Sequence, residues 1–187
     1  MEIVRSFVAV ELEHEIRRRL SRAQETLAGT GAEVKWVGQG NIHLTLRFLG
    51  ELPPDRLDRV KAGLASIRCA PFPMRISGLG RFPPEGNRVS VLWAGCEGDP
   101  RLKKLWERVQ ASASEAGLPR DDHGFSPHVT LGRVRSGRNI RELLDALRSA
   151  TEDFGEQNVD RFVLMRSELQ PEGPRYSPLE TYPLRPD

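Results

Sequence analysis

His43-Leu44-Thr45-Leu46-Arg47-Phe48-Leu49-Gly50 orders the rest of the chain, because its opening returns later as His128-Val129-Thr130-Leu131-Gly132-Arg133. Four histidines and six threonines in 187 residues lead to roughly 0.1 His-x-Thr triplets by chance, so two copies, each followed by leucine, are a signal. Both tetrapeptides lie in strand-like runs, where residues two apart share a face. Each copy therefore presents an imidazole and a hydroxyl side by side, with leucine or valine on the opposite, core-facing side. Two such strands across a cleft would set two imidazoles and two hydroxyls around one volume.

The chemistry suited to that volume is proton transfer at phosphorus. Histidine's ordinary pKa near 6.5 lets one ring be neutral and another protonated at neutral pH. Such a pair can act as general base and general acid on opposite sides of a phosphate, while threonine hydroxyls donate to its non-bridging oxygens. A lone histidine in a strand is usually a satisfied structural residue; the duplication argues against that here. A shared zinc is the other rival. Neither motif brings its own carboxylate or cysteine ligand, although Asp121, Asp122 and His123 lie just upstream of His128. No cofactor is expected: a phosphate-binding G-x-x-x-x-G-K-[ST] loop and a G-x-G-x-x-G fingerprint are both missing. His14 falls on the polar side of a helix.

Working outward, strand and helix periods alternate. Residues 3–10 (IVRSFVAV) read as a strand. Residues 13–28 put Ile16, Leu20, Ala23 and Leu27 on one helical face, with Gly29 as its stop. A second helix starts at Pro54, a third at Pro100 behind an Asp99 cap and ending at Gly117, and a fourth spans about Asn139 to Ala150. Strands are expected at 34–37, 42–49, 73–79, 88–94, 128–134, 158–169 and 179–184. Short turns between several of them favour antiparallel pairing and an α+β fold over a doubly wound parallel sheet.

Composition narrows the function classes. A 187-residue, 21.0 kDa chain is expected to form one compact domain, or two small lobes sharing one core, with ample burial. Its net charge of +2 excludes a bulk basic field, so any polyanion must meet a local patch; Arg47, Arg133, Arg135 and Arg138 are the arginines nearest the motifs. Of the 28 basic residues only Lys35, Lys61, Lys103 and Lys104 are lysine, a bias that suits arginine's phosphate-matching fork but that a GC-rich genome explains more readily. Cys69 and Cys96 exclude a disulfide framework and a four-thiolate zinc site. Met1–Val10 lacks the apolar run of a signal peptide and no stretch is long enough to span a bilayer, so the chain reads as soluble and cytoplasmic.

At these residues the chain resembles the two-histidine (2H) phosphoesterase superfamily, in particular the RNA 2′,3′-cyclic phosphodiesterases formerly called 2′-5′ RNA ligases. The resemblance runs nearly end to end. It takes in Phe7-Val8-Ala9-Val10, Trp36-Val37 through Asn41-Ile42 into the first motif, Pro127 through Arg133, and Arg166-Ser167-Glu168-Leu169 with Gly173-Pro174 and Tyr176. One departure is His123-Gly124 before Phe125, where the family more often has a basic residue followed by proline.

The resemblance implies two pseudo-symmetric lobes, each an antiparallel sheet backed by helices, with the active-site cleft between them. Residues 1–187 then form a single domain whose lobes are not sequence-contiguous. The implied reaction is metal-independent hydrolysis of a terminal 2′,3′-cyclic phosphate on RNA, leaving a 2′-phosphomonoester. His43 would protonate the departing 3′ oxygen and His128 would activate water. Thr45, Thr130 and Arg133 would bind the phosphate, provided a bulge or strand end at Gly132 turns Arg133 to the face of His128. By alternation Arg47 shares the face of His43 and is a further phosphate candidate, and Phe7 is a candidate base-stacking ring. The expected partners are RNA ends or small cyclic nucleotides bound by a monomer, with no membrane. Open alternatives are the same site acting on an ADP-ribose derivative, the reverse ATP-independent ligation, and a non-catalytic RNA-end-binding module.

Overall fold

The computed structural model describes residues 2–86, 88–121 and 124–186. The order is β1 (Val4–Glu11), α1 (His14–Ala28), β2 (Val34–Trp36), a 3₁₀ turn (Gln39–Asn41), β3 (His43–Leu52), α2 (Pro54–Ala65), β4 (Phe72–Phe82), β5 (Val91–Gly98), α3 (Pro100–Glu115), β6 (His128–Val134), α4 (Ile140–Ser149), β7 (Asp153–Val159), β8 (Arg161–Gln170) and β9 (Gly173–Pro183). The fold is α+β. Asp99 caps α3 as expected, accepting the Arg101 N–H at 2.9 Å. The 158–169 strand divides instead at Asp160 into β7 and β8, which lie toward opposite ends of the sheet. The polar run Glu156-Gln157-Asn158 conceals β7 because only Phe154, Gln157 and Val159 turn inward.

All pairings are antiparallel, in the order β7-β4-β5-β6-β3-β1-β8-β9, with β2 added to β6. The two halves, β9-β8-β1-β3 and β6-β5-β4-β7, are joined where β3 meets β6 through the single pair Leu44–Val129. Beyond it the strands part, and β2 takes up the edge of β6 through Val34–Val134, Lys35–Arg133 and Trp36–Gly132. A Cβ on Gly132 would fall 2.6 Å from Val34 Cγ1 and 3.0 Å from the Trp36 ring, so only glycine admits this packing.

The helices cross between the halves. α1 leaves β1 yet packs against β6 and β7, and α3 leaves β5 yet packs against β3. Burial follows: Leu20, Val60, Leu105, Val8, Ile76, Val129 and Leu164 join one core running beneath both halves. Buried Gln24 on α1 is satisfied by the carbonyls of Val37 and Leu131, both at 2.8 Å, and so ties the helix to β6 and to the segment after β2. β1 is covered on both faces, because Phe7 and Ala9 form a second cluster with Val163 and Met165 on the side away from α1.

Candidate active site

The antiparallel register around Leu44–Val129, continued one residue each way, sets His43 beside Thr130 and Thr45 beside His128 on one face. The repeated motif thus meets itself crosswise at the join. Beside it is a cavity of about 550 Å³, lined by His43, Thr45, Thr130, Arg133, Phe48 and Tyr176 among others, within the range of small-ligand sites. His128 is not one of its lining residues; it stands two positions from Thr130 on the same strand face.

Each imidazole is oriented from behind in the same way. His43 Nδ1 lies 2.6 Å from the Asn41 carbonyl and His128 Nδ1 lies 2.7 Å from the Ser126 carbonyl. A carbonyl can only accept, so both Nδ1 atoms carry the proton and both Nε2 atoms are left for chemistry. In the neutral ring His43 Nε2 accepts from Thr45 Oγ1 at 2.8 Å. Asn41 also donates through Nδ2 to the Pro174 carbonyl at 2.7 Å, which fastens the β8–β9 hairpin to the His43 strand.

The two rings differ in their surroundings. His43 stacks on Phe7, with centroids 4.9 Å apart and planes 28° from parallel, and meets Tyr176 edge-on at 5.4 Å. Burial there pushes the His43 pKa below its ordinary 6.5, the Asn41 bond opposing part of the effect. The same burial raises the Tyr176 phenol. His128 meets Phe82 edge-on at 5.0 Å, with Trp93 beyond at 6.4 Å.

Two expected substrate contacts are corrected. Phe7 is 3% exposed and lies under the His43 ring, so no base can reach it; it supports the imidazole instead. Arg47 is 6% exposed and turns away from the cleft. It donates to Gln110 Oε1 at 2.8 Å and to the Pro119 carbonyl, and pairs with Asp121 at 3.2 Å. The cause is a bulge: Arg47 pairs with Val8 but Thr45 with Ala9, so Leu46 is an extra residue. Leu46 and Arg47 both face the core, and Phe48, 66% exposed, takes the cavity side.

The same irregularity occurs in β6. Gly132 pairs with Leu92 but Thr130 with Trp93, which makes Leu131 the extra residue and brings Arg133 into the cavity. The bulge expected at Gly132 is therefore found one residue earlier, at Leu131, with the same effect on Arg133. The fifth residue after each histidine, Phe48 in one half and Arg133 in the other, reaches the site by the same device. Phe48 was hidden from strict alternation; its place five after His43, matching Arg133, is the signal that could have found it. Arg135 lines the cavity too, whereas Arg138 does not.

Among the described residues no group of three His, Cys, Asp or Glu side chains could hold a metal; Asp122 and His123 lie outside them. Among them no helix is long and apolar enough to cross a membrane, and Cys69 and Cys96 form no disulfide.

A family model described as LigT like Phosphoesterase matches residues 10–93 and 96–176. The chain belongs to the LigT-like phosphoesterases, within the 2H group. It is 35% identical over 180 residues to the RNA 2′,3′-cyclic phosphodiesterase of Archaeoglobus fulgidus, covering 96% of this chain and 99% of that protein. The crystal structure of TT0787 of Thermus thermophilus superposes with a TM-score of 0.79 at 36% identity, over 98% of this chain and 99% of that one. E. coli LigT complexed with 3′-AMP gives 0.77 at 26% identity, with coverage of 98% and 99%.

Proposed function

We propose that this LigT-like protein is a metal-independent RNA 2′,3′-cyclic phosphodiesterase, a cytoplasmic monomer that opens a terminal cyclic phosphate to a 2′-phosphomonoester. The observation that carries the reading is that the two His-x-Thr motifs meet at the β3–β6 join through Leu44–Val129, with His43, Thr45 and Thr130 lining the cavity beside it. The name of the A. fulgidus relative supports the reaction, and the nucleotide bound by E. coli LigT supports the substrate class.

With the phosphate between the two Nε2 atoms, water attacks phosphorus in line with the bond to the 3′ oxygen. His128 takes the water proton as the P–O bond forms, and His43 gives its proton to the 3′ oxygen as that bond breaks. A low pKa makes His43 a ready donor, and the phosphate's own negative charge favours the protonated ring while substrate is bound. Thr45, Thr130 and Arg133 take the non-bridging oxygens, where charge accumulates. Phe48 offers its exposed ring to the terminal base.

The test is product analysis on an oligonucleotide with a 2′,3′-cyclic end, in excess EDTA. A 2′-phosphate end is expected. His43→Ala and His128→Ala should each lose about 10²–10⁴-fold in rate while remaining folded, and should not multiply when combined. A near-normal rate in either variant overturns the catalytic pair. Loss of activity in EDTA that zinc restores overturns metal independence.

A further inference from the structure

The two halves mirror one another in strand order, and β2 is the strand outside that order. It carries Lys35 directly opposite Arg133 on β6, with Arg135 two residues further on, just past the end of that strand. Like charges directly opposite in a ladder are unfavourable. Among the described residues no carboxylate pairs with any of the three; Glu33 meets Arg135 through backbone, its carbonyl accepting the Arg135 N–H at 2.8 Å. All three cations line the cavity, as does Arg175 from the hairpin opposite, against Glu172 as the one lining carboxylate among the described residues. In a chain whose net charge is only +2, this is a concentrated positive shelf on one side of the site.

We propose that the β2–β6 ladder is a track for the nucleotides preceding the reacting end, which makes the substrate a single RNA strand several nucleotides long instead of a free cyclic nucleotide. The proposal rests on the reading of the site as one for RNA ends. Arg133 holds the reacting phosphate, and Lys35 and Arg135 take the next phosphates as the strand leaves along β6. Arg133 and Arg135 are two residues apart where the chain leaves β6, a span of up to about 6.6 Å in extended backbone, close to the spacing of adjacent phosphates in an extended single strand. The neutralising strand relieves the repulsion between Lys35 and Arg133, so the shelf is built for a polyanion.

The experiment compares kcat/KM for an octanucleotide with a 2′,3′-cyclic end and for the matching cyclic mononucleotide, in wild type, Lys35→Gln and Arg135→Gln. Both side chains are exposed, and circular dichroism checks that the variants fold. The octanucleotide-to-mononucleotide ratio should fall about tenfold in each variant, the size of one charge-assisted contact. In wild type, KM for the octanucleotide should depend on salt more steeply by about 1.4 in the log–log slope, the release expected for two further phosphates. An unchanged ratio, or equal salt slopes, overturns the track while leaving the hydrolase reading intact. Fluorescence anisotropy with a 2′-phosphate-ended octanucleotide separates the opposite failure. Binding that weakens in Lys35→Gln and Arg135→Gln without turnover of either substrate keeps the track and overturns the hydrolase. Displacement of that octanucleotide by polyglutamate as readily as by RNA would overturn the assignment to RNA.

Discussion

His43 shows how a single side chain acquires its chemistry from what covers it. Phe7 and Tyr176 remove water from two sides of the ring, and the folded protein binds the proton less readily than the unfolded chain does. The sign follows from linkage: because the folded pKa is depressed, stability is greatest above the unfolded value near 6.5 and declines as pH falls through it. Urea unfolding at pH 7 and pH 5 should therefore show a loss in wild type that is smaller in His43→Gln. Phe7→Ala should let water behind the imidazole and move its NMR titration midpoint up toward 6.5. It should also cost about 3–5 kcal/mol, as large core truncations do. A midpoint unmoved in Phe7→Ala would show that the ring opposite does not set the proton affinity. The pH–rate profile should be a bell whose limbs belong to the coupled pair.

At the scale of the element, the bulges in β3 and β6 decide which side chains the two motifs deliver. Arg47 and Phe48 are sequence neighbours with opposite duties: one joins β3 to α3 and to the segment leading to β6, the other faces the cavity. Arg47→Ala should destabilise the protein by about 2–4 kcal/mol, because a buried hydrogen-bonded charge pair is broken, and its effect should be read in the denaturation midpoint. Phe48→Ala removes an exposed ring and should change stability by less than about 0.5 kcal/mol. It should raise KM roughly tenfold, within the range measured for one base stacked on an aromatic ring. The reverse pattern, with Arg47 governing KM and Phe48 governing stability, would show that the strand keeps strict alternation in solution. Nothing in the tetrapeptide announces the bulge. Leu46-Arg47 and Leu131-Gly132 are chemically unlike, and the extra residue is defined only against the neighbouring strand.

For the whole molecule, the exchange of helices between the halves makes one core of two lobes. α1 follows a strand of one half and packs beneath the other, α3 packs on β3 of one half and β4 of the other, and buried residues of both halves share one cluster, so opening one half exposes core of its neighbour. The expectation is a single cooperative unfolding transition with calorimetric and van't Hoff enthalpies in agreement. Two separable transitions would mean that the lobes are independent domains.

The sequence alone determined the repeated His-x-Thr-Leu, the four helices with Asp99 as a cap, the α+β class and the family. Those features rest on local periodicity, capping chemistry and a motif too improbable to be chance, all of which a linear chain carries. The crosswise meeting of the motifs, the concealed strand β7, the burial of Phe7 and Arg47, and the emergence of Phe48 and Lys35 were decided by the tertiary structure alone. Each depends on which strand lies beside which and in what register. The partner of β7 is β4, some eighty residues earlier, and the partner of Lys35 is Arg133. A residue's face is fixed by such pairings, and a bulge reverses it without altering a single local preference.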